Sequence, residues 1–253
     1  MRIIALIPVY NEANTLVSVL DSLSGQVDRL LMVDDGSSDG SLNLARKWAH
    51  QRGGIEILRM PENRGMSTAL REGFVHLVAL LRRGILMAED ILITIDADGQ
   101  HDSGEIGDLC AYMEAQRLDV ALTRRDFSLY PIHKRLGNYL MTLWGRLWSG
   151  FSYQDIESGF RAMRIRVLPD LLDYYAGYRY SCAQEIAVLT ARLGFRVDNR
   201  FRTVIRLYRS QTGIHDVLIN AAFGFWAFAR WIMGRKVVNR PAMALPVIKS
   251  EKS

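Results

Sequence analysis

The sequence predicts an α/β protein built on a mostly parallel sheet with flanking helices. Apolar, β-branched runs alternate with amphipathic stretches of helical length through the first half of the chain. The polar clusters YNE, DDGSSDG and DADGQHD each follow directly on one of those apolar runs. A third observation is capacity: 253 residues at 49% apolar composition can bury a sizeable core, in one large domain or in a domain with a helical appendage.

In chain order, the strands are expected at 2–9, 29–34, 55–60, 90–96 and 118–123. Helices are expected between them at 12–24, 39–52, 66–83 and 103–117. Asp39 or Ser41 is a suitable N-cap for the second helix, and Asp102 and Ser103 precede the fourth, with Glu105 and Asp108 in its early turns. Strand and helix alternating in this way form right-handed crossovers, and ligands then sit beyond the carboxyl ends of the strands. The three polar clusters should therefore share one crevice. After residue 124 the pattern changes to a helix at 134–151, the turn-rich YQDIESGFRAM, a helix near 180–194 and a strand near 195–206. An apolar helical stretch at 213–236 follows, and the chain after Arg240 reads as a frayed tail. We accordingly divide the chain into 1–210, with a donor half 1–123 and an acceptor half 124–210, an amphipathic helix 211–240, and a flexible tail 241–253.

In ILITIDADGQHD, Asp96, Asp98 and Gln100 alternate. If strand geometry persisted through Gly99, their oxygens would point to one side, a hard donor set suited to Mg²⁺ or Mn²⁺ with water and substrate phosphates completing the shell. A calcium-binding helix–loop–helix is disfavoured. Counted from Asp35, Gly40 falls at the sixth position but Arg46 at the twelfth; counted from Asp96, the twelfth is Gly107. The glycine fingerprint of dinucleotide-binding folds and the P-loop are absent. Any one acidic loop is also explained as a polar turn with a helix cap, and only the three together argue for a site.

The net charge of +5 is unevenly divided: residues 1–123 carry 11 Lys and Arg against 18 Asp and Glu (−7), whereas 124–253 carry 21 against 9 (+12). The first half suits a cation, and the second nucleic acid, an anionic membrane surface or a phosphorylated substrate, with a solvated basic surface as the plain alternative. Cys110 and Cys182 have no metal-ligand spacing and read as buried, reduced thiols. The N-terminus is too brief for a signal peptide, and no window offers the ~20 clean apolar residues of a membrane span.

The segments IPVYNEANTL, VDDGSSDGS, NRGMSTALREGF and IDADGQHD, in this order, resemble the successive motifs of the inverting family 2 glycosyltransferases with the GT-A fold, over residues 2 to about 165. DADGQ with QDIESGFRAMR is most similar to the polyprenyl- or dolichyl-phosphate sugar transferases. The resemblance implies that Pro8, Tyr10, Glu12, Val33 and Asp35 hold the nucleotide's base and ribose. It implies that Asp96, Asp98 and Gln100 hold the metal on the donor diphosphate, that Arg124 and Arg135 approach the phosphates, and that Asp155, Ser158, Gly159, Phe160 and Arg161 lie near the acceptor. A metal and arginines fit this chemistry because negative charge develops on the departing diphosphate.

The acceptor decides whether a base is needed. A lipid phosphate is already ionised, whereas a sugar hydroxyl must lose a proton, for which Asp155 and Glu185 are the candidates; a structural ion pair is the competing reading of both. The family's Arg followed by GxSK is altered here to RLYRSQTGIHDVL, in which Arg206 or Arg209 supplies the arginine and Thr212 the hydroxyl, without the lysine. The apolar run 217–229 is 13 residues before Arg230, roughly 20 Å of helix against a hydrocarbon core of about 30 Å. It reads as an interfacial helix with a basic edge, or as core.

The expectation is thus an inverting, metal-dependent hexosyltransferase moving a sugar from a nucleotide-sugar donor of the GDP-mannose or UDP-glucose type to a polyprenyl phosphate. It would work from the cytoplasmic face as a peripheral membrane protein, with a membrane partner subunit a further expectation and no nucleic-acid partner. The alternatives are transfer to a saccharide hydroxyl in envelope polysaccharide assembly and a non-catalytic nucleotide-sugar binder.

Overall fold

The structure, a computed structural model, describes residues 1–127, 130–205, 214–237 and 245–249. Its elements are β1 (Ile3–Val9), α1 (Leu16–Leu23), β2 (Arg29–Asp34), α2 (Ser41–Arg52), β3 (Ile55–Arg59), α3 (Met66–Arg82) and β4 (Ile91–Thr94). There follow a 3-10 turn at Ser103–Glu105, α4 (Ile106–Ala115), β5 (Val120–Leu122), β6 (Arg124–Arg125), α5 (Ile132–Ser149), β7 (Arg161–Arg164) and α6 (Val167–Tyr174). The chain continues through α7 (Cys182–Arg192), β8 (Val197–Asp198), β9 (Arg202–Thr203), α8 (Ile214–Ile232) and β10 (Val247–Lys249).

The main sheet runs β10-β3-β2-β1-β4-β7-β5-β8. All neighbours pair in parallel except β7, antiparallel between β4 and β5, and β10, antiparallel on the β3 edge. This is the mostly parallel sheet with flanking helices that the alternation predicts. Period-two alternation in β1 sends Ile4 and Leu6 to one face and Ala5, Ile7 and Val9 to the other. The first face is covered by α3, α6 and α7, the second by α1, α2 and α4. Outside α7 lies a further helical layer, in which α5 and α8 pack on α7 and on each other.

Three expectations are corrected here. The tail after Arg240 contributes a sheet strand, Val247–Lys249, paired with Glu56–Leu58. The turn-rich SGFRAMR holds the central strand β7, unrecognised because two of its four residues are arginines, both buried. The strand near 195–206 is two short pieces, β8 in the main sheet and β9 paired with β6 in a small second sheet. Helix α2 is capped by Gly40, with Asp39 accepting from the Ser41 amide at 3.0 Å.

Candidate active site

Because β2, β1 and β4 are parallel neighbours, their carboxyl ends bring the three acidic loops together. The second loop holds the first. Asn11 N–H donates to Ser37 Oγ (3.0 Å), Glu12 N–H to Ser41 Oγ (2.9 Å) and Ala13 N–H to Asp39 Oδ2 (2.9 Å). Asn11, at φ 55°, is in the left-handed region that asparagine tolerates, and its Oδ1 accepts from the Ser38 amide at 2.8 Å. Tyr10 stands half-exposed at the rim, while Pro8 and Val33 are buried in the strands. Val33 packs in the core with Ile4 and Leu6 and presents no surface to a ligand. Asp35, expected to face a base edge, is also buried: its two oxygens accept the amides of Arg64 and Gly65, each at 2.8 Å. Burial raises its pKa against those hydrogen bonds. The NRG segment is thus the seat of Asp35 and the start of α3.

The third loop departs from the expected strand geometry. β4 ends at Thr94, and Gly99 at φ 74° turns the chain, so Asp96, Asp98 and Gln100 do not continue a strand. The Asp98 carboxylate instead accepts from the Gln100 amide N–H (3.0 Å) and from Gln100 Nε2. In this arrangement Gln100 braces Asp98. Thr15 Oγ1 donates to Ala97 O at 2.8 Å and fastens the turn to the start of α1. Asp96, half-buried, has its pKa pushed up to about 6, first by desolvation and then by the charge of Asp98, against the pull of Arg161 and Arg125. Its carboxylate occupies the space beside Gly159, where an added Cβ would lie 2.0 Å from Oδ2.

Arg161, at the start of β7, is 2% exposed, and its Nε has no hydrogen-bond partner among the described residues. His101 is half-buried with Nδ1 closed off from solvent and its ring 5.5 Å from that of Phe160. Desolvation, then Arg125 and Arg161, lowers its pKa to about 3.

In the loop before β7, Asp155 is fully buried. Its Oδ2 accepts from Arg125 N (3.0 Å) and Nε (2.8 Å), its Oδ1 from Arg125 Nη2 (2.9 Å) and Glu157 N (3.1 Å). This bidentate pair lowers the pKa of Asp155 in spite of burial. The Arg125 guanidinium lies over Phe127 and Tyr130, at 5.2 and 5.8 Å, and donates to Asn138 Oδ1 of α5 at 2.7 Å. Asn199 pins the loop by accepting from the amides of Gln154 (2.6 Å) and Asp155 (2.9 Å). Ser158 is buried against Thr123 Oγ1 at 2.8 Å. Arg124 meets Gln154, Arg135 is exposed on α5, and Arg206 and Arg209 lie outside the described residues.

Glu185 does not reach a substrate in this arrangement. It is fully buried, with Oε2 accepting from Ala176 N (2.7 Å) and Arg230 Nη2 (2.8 Å) and Oε1 from Ser181 Oγ (2.5 Å) and Gly177 N (3.3 Å). It clamps α7 to the 176–178 turn and to α8. Sequence reasoning missed Arg125 and Glu157. Arg125 neighbours Arg124 on a strand, so alternation puts one of the two inward, but only the burial of Asp155 shows which. Glu157 accepts from both Asn220 Nδ2 (2.9 and 3.1 Å) and Gln184 Nε2 (3.3 Å), and desolvation raises its pKa.

A small cavity of about 90 Å³ lies behind Asp96, lined by Ser18, Val19, Gly99 and His101. A larger one of about 540 Å³ lies at the opposite, amino ends of β4 and β5. It is walled by ion pairs of Arg164 with Glu89 (3.0 Å) and Glu114 (2.8 Å) and of Arg166 with Asp119 (2.6 Å), a structural network far from the acidic loops.

Among the described residues, no group of three or more His, Cys, Asp or Glu is placed to hold a metal. Two adjacent carboxylates, one with a raised pKa, do fit Mg²⁺ or Mn²⁺, which take one or two protein carboxylates and complete their shell from water and phosphates.

The glycosyl transferase family 2 profile matches residues 4–186. An undecaprenyl-phosphate mannosyltransferase of Micrococcus luteus is 28% identical over 94% of this chain and 92% of its own length. A UDP-N-acetylglucosamine–dolichyl-phosphate N-acetylglucosaminyltransferase of Methanococcus voltae is 23% identical over 90% and 94%. In fold, the chain is similar to glucosyl-3-phosphoglycerate synthase of Mycobacterium tuberculosis, solved with Mn²⁺, uridine diphosphate and phosphoglyceric acid: TM-score 0.65, 17% identity, 98% of this chain and 86% of that one.

Proposed function

This chain belongs to glycosyl transferase family 2, and from that premise we propose that it moves one sugar from a nucleotide-sugar to the phosphate of a polyprenyl phosphate, with inversion at the anomeric carbon, at the cytoplasmic membrane face. The observation that carries the choice of acceptor is the state of the two carboxylates expected to act as bases. Asp155 is locked in a bidentate pair with Arg125 and Glu185 in a four-donor cage, and both are fully buried. An ionised phosphate needs neither. The names of the relatives from Micrococcus and Methanococcus support the same acceptor class.

In this reading Tyr10 and the 34–37 turn receive the nucleoside, and Asp96 and Asp98 hold a divalent cation. That ion, when bound, screens the donor diphosphate and stabilises the charge that develops on it. Gln100 and Thr15 keep the two carboxylates in place. Arg161 and Arg124 offer fixed positive charge to phosphate oxygens, and Arg135 meets the acceptor at the rim. An acceptor phosphate oxygen attacks the anomeric carbon as the bond to the diphosphate breaks, and the nucleoside diphosphate leaves. Asp98 therefore serves through charge placement, without taking a proton.

Transfer to a saccharide hydroxyl remains the second reading, carried by Glu157, whose raised pKa suits a base. Two measurements decide. Melting temperature with Mn²⁺ and a panel of nucleoside diphosphates, with Asp98→Asn as control, identifies the donor: a ligand at ~100 times its dissociation constant adds about 2.7 kcal/mol. Transfer from the matching nucleotide-sugar to a short-chain polyprenyl phosphate, sensitive to Asp98→Asn and tolerant of Glu157→Gln, is the expected result. Transfer to free sugars only, abolished by Glu157→Gln, would overturn it.

A further inference from the structure

The cavity of about 540 Å³ at the amino ends of β4 and β5 carries positive charge that its own ion pairs leave unused. Four arginines and three carboxylates line it. The carboxylates are taken by two of the arginines: Arg164 meets Glu89 at 3.0 Å and Glu114 at 2.8 Å, while Arg166 meets Glu89 and, at 2.6 Å, Asp119. The second oxygen of Asp119 accepts the Arg196 amide at 2.8 Å. Arg117 and Arg196, both exposed, form no ion pair with any described residue. They stand close together, because Arg196 O accepts from the amides of Asp119 (2.9 Å) and Val120 (3.2 Å) where β5 and β8 begin to pair. Arg117 also occupies an unusual position. At φ 53° just after α4, it stands in the left-handed conformation at which a helix end favours glycine, and the chain there carries a cation on the cavity wall instead.

We propose that this cavity is a second binding site, for a small soluble anion bearing a phosphate group clasped between Arg117 and Arg196. Guanidinium forks match phosphate oxygens two at a time, and two free forks on one wall suit a group with more than one negative charge. The volume is that of a small-molecule site. The lining selects a soluble compound over a lipid headgroup: Phe195, half-buried, is the one apolar side chain among the lining residues, so an acyl chain has nothing to rest on. The position gives binding a consequence. From this end β5 runs to Arg124 and Arg125, and β8 runs to Asn199, which accepts the amides of Gln154 and Asp155. An anion that bridges Arg117 and Arg196 therefore joins the amino ends of two strands whose far ends frame the 154–159 loop. The site is separate from the acidic loops and does not rest on the sugar-transfer reading.

The test is titration calorimetry of the full chain with inorganic pyrophosphate, at low salt and with a chelator so that no divalent ion draws the probe to the acidic loops. Citrate is the carboxylate counterpart. The parent is compared with Arg117→Gln and Arg196→Gln, both at exposed positions, and with Arg124→Gln, which reports pyrophosphate held in the donor crevice; unchanged melting temperature confirms that each variant folds. Expected are saturable binding in the parent, affinity lower by about tenfold in each of Arg117→Gln and Arg196→Gln, the scale of one charge-assisted contact, and parent-like affinity in Arg124→Gln. Citrate should bind more weakly than pyrophosphate. No saturable binding up to ~1 mM, binding that survives Arg117→Gln and Arg196→Gln intact, or citrate bound more tightly than pyrophosphate would overturn the proposal. The titration contains neither donor nor acceptor, so its outcome is distinct from that of the transfer assay.

Discussion

Replacing Gly159 by Ala should uncouple the acidic site from the fold. The added Cβ would lie 2.0 Å from Asp96 Oδ2, 2.6 Å from Cγ and 2.7 Å from Oδ1. A comfortable carbon–oxygen contact is about 3.3 Å, so the carboxylate has to withdraw by about 1.3 Å. The φ of Gly159 is not in the left-handed region, so backbone strain does not enter. Overpacking of one methyl costs about 1–3 kcal/mol, or a melting shift of roughly 2–10 °C in a chain of this size. Misplacing a group at the reacting centre by ~1 Å costs about 10²-fold in rate. We therefore expect a folded protein with kcat/KM for sugar transfer down about 100-fold and a weakened Mn²⁺-dependent melting shift with nucleoside diphosphate. Parent-like transfer, within about threefold, with that shift intact would refute the placement of Asp96 at the centre of the chemistry.

Asp155→Asn takes the paired carboxylate away from half-buried Arg125 and should cost about 3 kcal/mol in urea unfolding. Because the folded pKa of Asp155 is depressed, its contribution is present above the unfolded value of about 4 and fades below it, so parent and variant should converge in acid. Asp96→Asn should do the opposite: with its pKa raised to about 6, Asp96 ionises at a cost to the fold that grows from about pH 4 to 6 and persists above. Without metal at neutral pH the variant should be more stable by on the order of 1–3 kcal/mol, yet lose metal-dependent nucleotide binding. His101, with its pKa lowered to about 3, stabilises the fold above its unfolded value near 6.5 and withdraws that contribution as pH falls, at about 1.4 kcal/mol per unit. His101→Gln should flatten that limb of the stability–pH curve, and an unchanged slope would contradict the burial of the ring.

The fold of the first half of the chain was legible because its information is local. Each acidic loop follows its own strand, and parallel pairing of β2, β1 and β4 converts sequence position into proximity. Side-chain roles were less legible. Val33 is assigned to a ligand by resemblance, but strand parity turns it into the core. Asp35 meets the chain's own amides, a contact between residues thirty apart. The second half of the chain was harder still, since Arg125 finds Asp155 and Glu157 finds Asn220 across loops and helices that no periodicity relates. β7 escaped notice because Arg161 and Arg164 interrupt the apolar pattern that marks a central strand; the charge of Arg164 is absorbed by Glu89 and Glu114, supplied from other elements.

The Asn220 amide, donating to both oxygens of Glu157, makes α8 part of the scaffold of the 154–159 loop. Glu157 shares that loop with Asp155, two residues away, and with Gly159, against which Asp96 rests. The outer helix and the acidic loop are therefore thermodynamically linked: free energy that secures α8 narrows the positions open to the 154–159 loop, and loosening of that loop must weaken whatever grips α8 by the same amount. A surface contact on one side of the molecule is in this way entered directly into the order of the groups on the other.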